Sequence, residues 1–216
     1  ENVRTMEGLN KAMVRLRTIM DWTEADHPDA TPTGIHAYLW DRYREVRKEC
    51  STQRFNEDPR YLPTVIAWNE EIARFFIASN HELAGMPNFT QALNQEQFNK
   101  VLMDLQANYI MARSLNIPTP NAAEFKSYFA LMTYMGLENK AGKKRANKVG
   151  AAVVLKTFTD EEKASPWLAL VLAIMRIHAA DEAVPFFRVL RACPYILACV
   201  LATQVADMRL MGFRLV

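Results

Sequence analysis

Glycine is sparse, seven in 216 residues, and no Asn-Gly or Asp-Gly pair occurs in the chain. The tight turns that close β-hairpins draw on such pairs, so a hairpin-built sheet is disfavoured and an all-α chain becomes the leading reading. Cysteine is equally thin: Cys50, Cys193 and Cys199 stand apart, none of them in a CxxC pair. That excludes a disulfide framework and fits a reducing compartment, cytosol or nucleus. Long apolar runs are missing too. The longest, Trp167 to Met175, has nine residues, about half of a bilayer span, and no transmembrane helix is expected. Residues 1–17 mix charges and lack the apolar stretch of a signal peptide. Nor is there a surplus of one sign of charge: Lys plus Arg number 26 against 24 Asp plus Glu, a formal +2. No global field draws a polyanionic partner, and any basic surface must be local.

What is present is helical periodicity. Half the residues are apolar, enough for one sizeable core or two small ones. Ile35, Leu39, Val46 and Cys50 fall on one helical face, as do Phe98, Leu102, Leu105 and Tyr109, and then Phe125, Phe129 and Met132. Trp68, Phe75 and Phe76 are expected to be buried as a core face. Start signals support these stripes. Thr31-Pro32 reads as an N-cap followed by proline at the first helical position, where its missing N–H costs nothing. Asn94 with Gln97, Asn121 with Glu124 and Thr159 with Glu162 have capping-box spacing. Helices are predicted near 3–21, 33–51, 62–83, 94–115, 121–136, 144–157, 160–178 with a break at Ser165-Pro166, 181–191 and 194–212. One-sided helices joined by short turns predict a stacked array of antiparallel pairs spanning 1–216 as a single domain. The segment 137–148 reads as an exposed basic turn within that array, with a domain boundary near Gly136 to Lys148 as the alternative.

No catalytic pattern emerges. His27, His36, His81 and His178 are dispersed, without the three- or four-residue spacing of a helical metal site. Glu70-Glu71 and Glu161-Glu162 are adjacent, and neighbours on a helix diverge by about 100°, so neither pair converges on one substrate atom. Gly-rich phosphate loops, GxSxG and HExxH are absent. The expectation is a protein that is not an enzyme and holds no cofactor and no metal.

Two charged stretches remain. In HAYLWDRYREVRKECSTQRF, residues 36–55, three acids are interspersed among five Lys and Arg, which argues for intramolecular pairing over phosphate binding by this helix. Arg42 or Arg47 is expected to reach Glu70 or Glu71 on the next helix. Lys140, Lys143, Lys144, Arg145 and Lys148 differ: five cations in nine residues with no acid among them, the footprint of an RNA or DNA backbone site, a solvated turn or a nuclear-import signal.

Four segments in order resemble the Sac-three/GANP family of messenger-RNA export scaffolds: HAYLWDRYREVRKECSTQRF, WNEEIARFFIASNHEL, LNQEQFNKVLMDLQANY and NAAEFKSYFALMTY. A fifth, PFFRVLRACPYILACVLATQVADMRLMGF, is similar to the family's late helices. The resemblance implies a PCI/TPR-like helical-repeat array, a scaffold that binds a PCI-domain protein and a small acidic proteasome-lid-type subunit in a nuclear, pore-associated assembly. Related scaffolds serve other, signalosome-like PCI complexes, and these motifs do not separate the branches. It carries structural roles onto Asp41, Arg42, Arg44, Arg47 and Gln53, onto Glu71, Arg74 and His81, and onto Asn121, Glu124, Phe125 and Tyr128. The resemblance implies a winged helix following this region; the chain stops at Val216, and the module is expected either to lie beyond this point or to be lacking in this member. Tyr195, Met208, Arg209, Leu210, Met211 and Phe213 are the expected partner-facing residues near this end.

Overall fold

The computed structural model describes residues 3–23, 25, 27–28, 30–136 and 146–214, with the side chain of 214 excepted. Every regular element among them is helical, as the shortage of turn glycines predicts. The chain divides into two compact units, 1–119 and 120–216.

The first unit holds α1 (Met6–Met20), α2 (Pro32–Thr52), α3 (Leu62–Glu82) and α4 (Gln91–Ser114). Thr31 caps α2 through its hydroxyl, which accepts from the Gly34 N–H, with Pro32 in the first turn as expected. The buried row of α2 is Leu39, Tyr43, Val46 and Cys50, while Ile35 at its start is only half-buried. Contacts fix the helix directions. Asn80 meets Asn94 and Gln95, and Glu70 meets Tyr109, so stepping back along α3 means stepping forward along α4: the pair is antiparallel. Phe98, Leu102, Leu105 and Tyr109 are all buried between them. Two expectations change here. Helix α4 starts at Gln91 with Thr90 as N-cap, which places Asn94 inside the helix rather than at its end. Phe75 is half-buried while Trp68 and Phe76 are buried, because its ring borders a hollow of about 390 Å³ lined in part by Met20, Trp22, Pro32 and Ile35.

The second unit is built around α5 (Ala122–Met135), of which every residue but Phe129 is buried. Around α5 pack α6 (Lys148–Leu155), α7 (Asp160–Lys163), α8 (Pro166–Ala179) and α10 (Tyr195–Ala202), while α9 (Ala183–Ala192) packs on α8 and on α11 (Val205–Arg214). Gly136, in the left-handed region at φ 69°, ends α5, a conformation glycine adopts without steric cost. The Thr159–Glu162 capping box forms in both directions, and Ser165-Pro166 breaks the next helix where predicted. Asn121 occupies the N-cap of α5 without a side-chain capping bond. The predicted helix 194–212 is two helices bent by 65°. At the break the Thr203 hydroxyl donates to the Val200 carbonyl and the side chain of Gln204 is buried; such back-bonding competes with the helical ladder. No single helix among the described residues is long and apolar enough to cross a membrane.

Burial sorts the three thiols. Cys50 and Cys199 are buried and Cys193 is half-exposed. Burial pushes the Cys50 thiol up to about 12, leaving almost no thiolate at neutral pH. A thiol-specific reagent is expected to label Cys193 first in the native protein, and Cys50 and Cys199 only after unfolding; mass spectrometry of the labelled peptides reads the order.

Candidate functional site

Three motif residues of the first unit, Arg47, Glu71 and Gln53, tie separate segments together. Arg47 Nη2 lies 2.5 Å from Asp104 Oδ2, joining α2 to α4. Arg17 on α1 grips Glu71 on α3 with Nε at 3.0 Å and Nη2 at 2.7 Å, a two-pronged geometry that carries more order than a single contact. Gln53 Nε2, at the C-cap of α2, donates to the Arg4 carbonyl and to Glu49, each at 2.6 Å. The partners differ from those expected: Glu71 takes Arg17, Glu70 accepts from the Tyr109 hydroxyl at 2.8 Å, and Arg47 reaches past α3 to α4. Arg42 pairs with its neighbour Asp41 and lies 5.9 Å from the Tyr38 ring. Arg44 sits 3.6 Å from Glu45 and 5.7 Å from the Trp40 ring. Arg74 is half-buried on α3 and His81 is exposed in its last turn.

Sequence reasoning missed the unit's central polar feature. His36 Nε2 and Asn94 Oδ1 are 2.9 Å apart, Asn94 Nδ2 donates to the Phe76 carbonyl at 2.9 Å and to Asn80 Oδ1 at 2.8 Å, and Asn80 donates onward to Gln95. With the Asn94 amide nitrogen committed to two acceptors, its oxygen accepts and His36 Nε2 is the donor. The chain of donors ties α2, α3 and α4 together. Its only sequence signal was Asn94 itself, which with Gln97 has capping-box spacing.

Desolvation holds the His36 imidazole below its ordinary 6.5, opposed in part by the bond to Asn94. The sign follows: as pH falls through 6.5 the unfolded chain takes up a proton that the folded site resists, so stability is present above 6.5 and lost below it. The urea midpoint is expected to fall between pH 7.5 and 5.5, and His36→Gln to remove that part of the slope.

In the second unit Glu124 accepts from the Tyr128 hydroxyl at 2.9 Å, one turn along α5. Phe125 and Tyr128 are fully buried, their rings edge to face at 5.7 Å, and Tyr128 meets Trp167 likewise at 5.6 Å. The polar centre of this unit was also missed: Lys126 Nζ, on a side chain 2 % exposed, lies 2.7 Å from Glu162 and donates to the Thr157 carbonyl. The lysine stands within NAAEFKSYFALMTY at a position to which the motif assigns no role.

Of the expected basic cluster, Lys140, Lys143, Lys144 and Arg145 lie outside the described residues, and Lys148 is exposed at the start of α6. Of the expected partner-facing set, Tyr195, Leu210 and Phe213 are 56 %, 59 % and 79 % exposed; Arg209 is exposed and Met211 half-buried. Met208 is the correction: at 1 % exposure it packs inside the unit and has no surface to offer. Among the described residues no three His, Cys, Asp or Glu side chains gather as a metal site would require.

Of the side chains that the motifs single out, Arg47, Glu71 and Gln53 tie separate segments together, while Asp41, Arg42, Arg44 and Glu124 make contacts within their own helices. Such a molecule is an all-α helical-array protein. The chain belongs to the SAC3/GANP family, whose family model matches residues 1–216. It is 27 % identical over 215 residues to SAC3 family protein B of Arabidopsis thaliana, covering 96 % of this chain and 12 % of that protein. Protein xmas of Drosophila melanogaster is 29 % identical over 119 residues, 54 % of this chain and 6 % of the fly protein. SAC3 family protein 1 of Schizosaccharomyces pombe is 31 % identical over 103 residues, 47 % of this chain and 10 % of the yeast protein. The chain thus spans about a tenth of the length of these curated relatives.

Proposed function

We propose that this chain is a non-catalytic scaffold subunit of a nuclear, transcription-coupled mRNA-export assembly, binding a PCI-domain protein and a small acidic subunit. One observation carries the reading: the family match covers the whole chain, and within it charged side chains join helix to helix, as in the Arg47–Asp104 and Arg17–Glu71 pairs. Helices held in register this way present surfaces for contact. Tyr195, Leu210 and Phe213, large apolar side chains left open in the second unit, are the residues assigned to partner contact. The test is capture of partners on the immobilised chain from nuclear extract of the source organism, with mass spectrometry of the eluate. A PCI-domain protein lost on Phe213→Asp and Leu210→Asp supports the reading. Recovery of none removes it.

A second reading, direct RNA or DNA binding through Lys140, Lys143, Lys144, Arg145 and Lys148, is favoured by the density of uncompensated cations there. Charge reversal at Lys143, Lys144 and Arg145 then weakens binding across sequences alike and flattens its salt dependence; unchanged binding refutes it.

A further inference from the structure

Two buried asparagines of the first unit are left without bonds. Asn69 on α3 and Asn108 on α4 are each 4 % exposed, and neither side chain has a hydrogen-bond partner among the described residues. Asn94 differs, with both atoms of its amide engaged. Buried amides are paired as a rule, so an unpaired couple calls for a physical account. Helix packing sets the two side by side: the Tyr109–Glu70 bond ties α4 to α3 one residue beyond each.

Both line a hollow of about 80 Å³. Their amide atoms are not sealed off, as the Arg47 Nε is, so it is through this hollow that they reach open space. Its floor is apolar and closed, formed by Val65, Trp68 and Ile72, none more than 4 % exposed. Ser51, Asp104 and Ala107 are exposed at its rim, and half-buried Asn56 brings a third carboxamide. Charge cancels there. Arg47 and Asp104 are the charged side chains lining the hollow, and they engage one another at 2.5 Å.

These features select an occupant. It carries no net charge, since an ion buried without a counter-charge is costly. It both donates and accepts, because each asparagine offers an N–H₂ and a C=O. At about 15 Å³ for each water-sized group there is room for about five. The occupant also ends inside, because the floor is closed; a main chain, which runs on in both directions, does not fit.

We propose that this hollow binds a primary carboxamide, the group that ends a glutamine side chain. Its C=O and N–H₂ pair in two-pronged fashion with an asparagine amide, while its methylene stem lies against Val65, Trp68 and Ile72. A hydroxyl donates and accepts at a single atom and matches one edge poorly. Carboxylate and ammonium groups supply half of the bonds and add a charge. The site is independent of the scaffold reading and of the 140–148 cluster.

Proton–nitrogen correlation spectra of the 216-residue chain, titrated with propionamide, test it. The side-chain N–H₂ resonances of Asn69 and Asn108 and the Trp68 indole N–H are expected to shift together and to saturate in the millimolar range, within reach of so small a ligand. Propionate, propylammonium and N-methylacetamide, which carries the main-chain amide, bind about tenfold more weakly. Asn69→Leu and Asn108→Leu each weaken propionamide about tenfold; alanine replaces leucine in any variant that circular dichroism shows unfolded. A blocked Ala-Gln-Ala peptide separates two sources of the group. Binding at least as tight as propionamide supports the site and assigns it to a glutamine of another protein, whereas exclusion of the peptide with propionamide retained supports it for a free small carboxamide. No shift with propionamide up to its solubility limit overturns the proposal and leaves the hollow to water. Equal binding of propionate, or shifts unchanged in both asparagine variants, overturns it as well.

Discussion

Lys126→Met is expected to destabilise the protein by about 3–5 kcal/mol, the cost of breaking a buried ion pair by removing one partner. The ammonium sits on a helix buried nearly all round and is held by Glu162 and by the Thr157 carbonyl. Without it the Glu162 carboxylate, on a side chain 12 % exposed, loses its counter-charge in a place with little water. Glu162 has a second duty, accepting from the Thr159 N–H at 2.7 Å in the capping box. Glutamine retains that acceptor. Adding Glu162→Gln to Lys126→Met therefore removes the stranded charge while keeping the cap, and the double variant is expected to be more stable than Lys126→Met alone. Urea denaturation of the four proteins in this cycle gives the coupling directly. A loss below about 1 kcal/mol for Lys126→Met would show that the pair behaves as if at the surface.

Asn94→Leu is expected to cost on the order of 3 kcal/mol, since each stranded buried polar group contributes about 1–3 kcal/mol. Leucine leaves the His36 N–H, the Phe76 carbonyl and the Asn80 side-chain oxygen without the partner each has now. Asn94→Asp is the more discriminating variant. It keeps an acceptor for His36 but puts carboxylate oxygen where the amide donated, facing two acceptors, and adds a negative charge beside the imidazole. Its His36 is expected to titrate above the wild-type value, since a neighbouring carboxylate favours the charged ring. The imidazole proton resonances followed against pH report that shift, and an unchanged titration would mean the two side chains do not meet.

These two residues mark where sequence reading stopped. Asn94 with Gln97 has the same spacing as Thr159 with Glu162, and both fit a capping box. Only the second is one, because Thr90 begins α4 earlier and Asn94 then faces the neighbouring helices. A local pattern describes what a segment can do with its own backbone. It carries no information about whether a partner from 58 residues away, as His36 is, offers a better bond. Lys126 is similar: its partner lies 36 residues on, and nothing nearby in the chain distinguishes it from a solvated lysine.

Helix type, most helix boundaries, the buried rows at Leu39, Val46 and Cys50 and at Phe98 through Tyr109, and the family itself were determined by the sequence alone. They depend on spacing, caps and order, which are properties of one strand of chain. Tertiary structure decided the rest: which carboxylate Arg47 meets, and that Met208 is inside while Leu210 and Phe213 stay out. The reason is angular. A helix sets the bearings of its side chains relative to one another, but which bearing faces a neighbour is chosen by packing many residues at once.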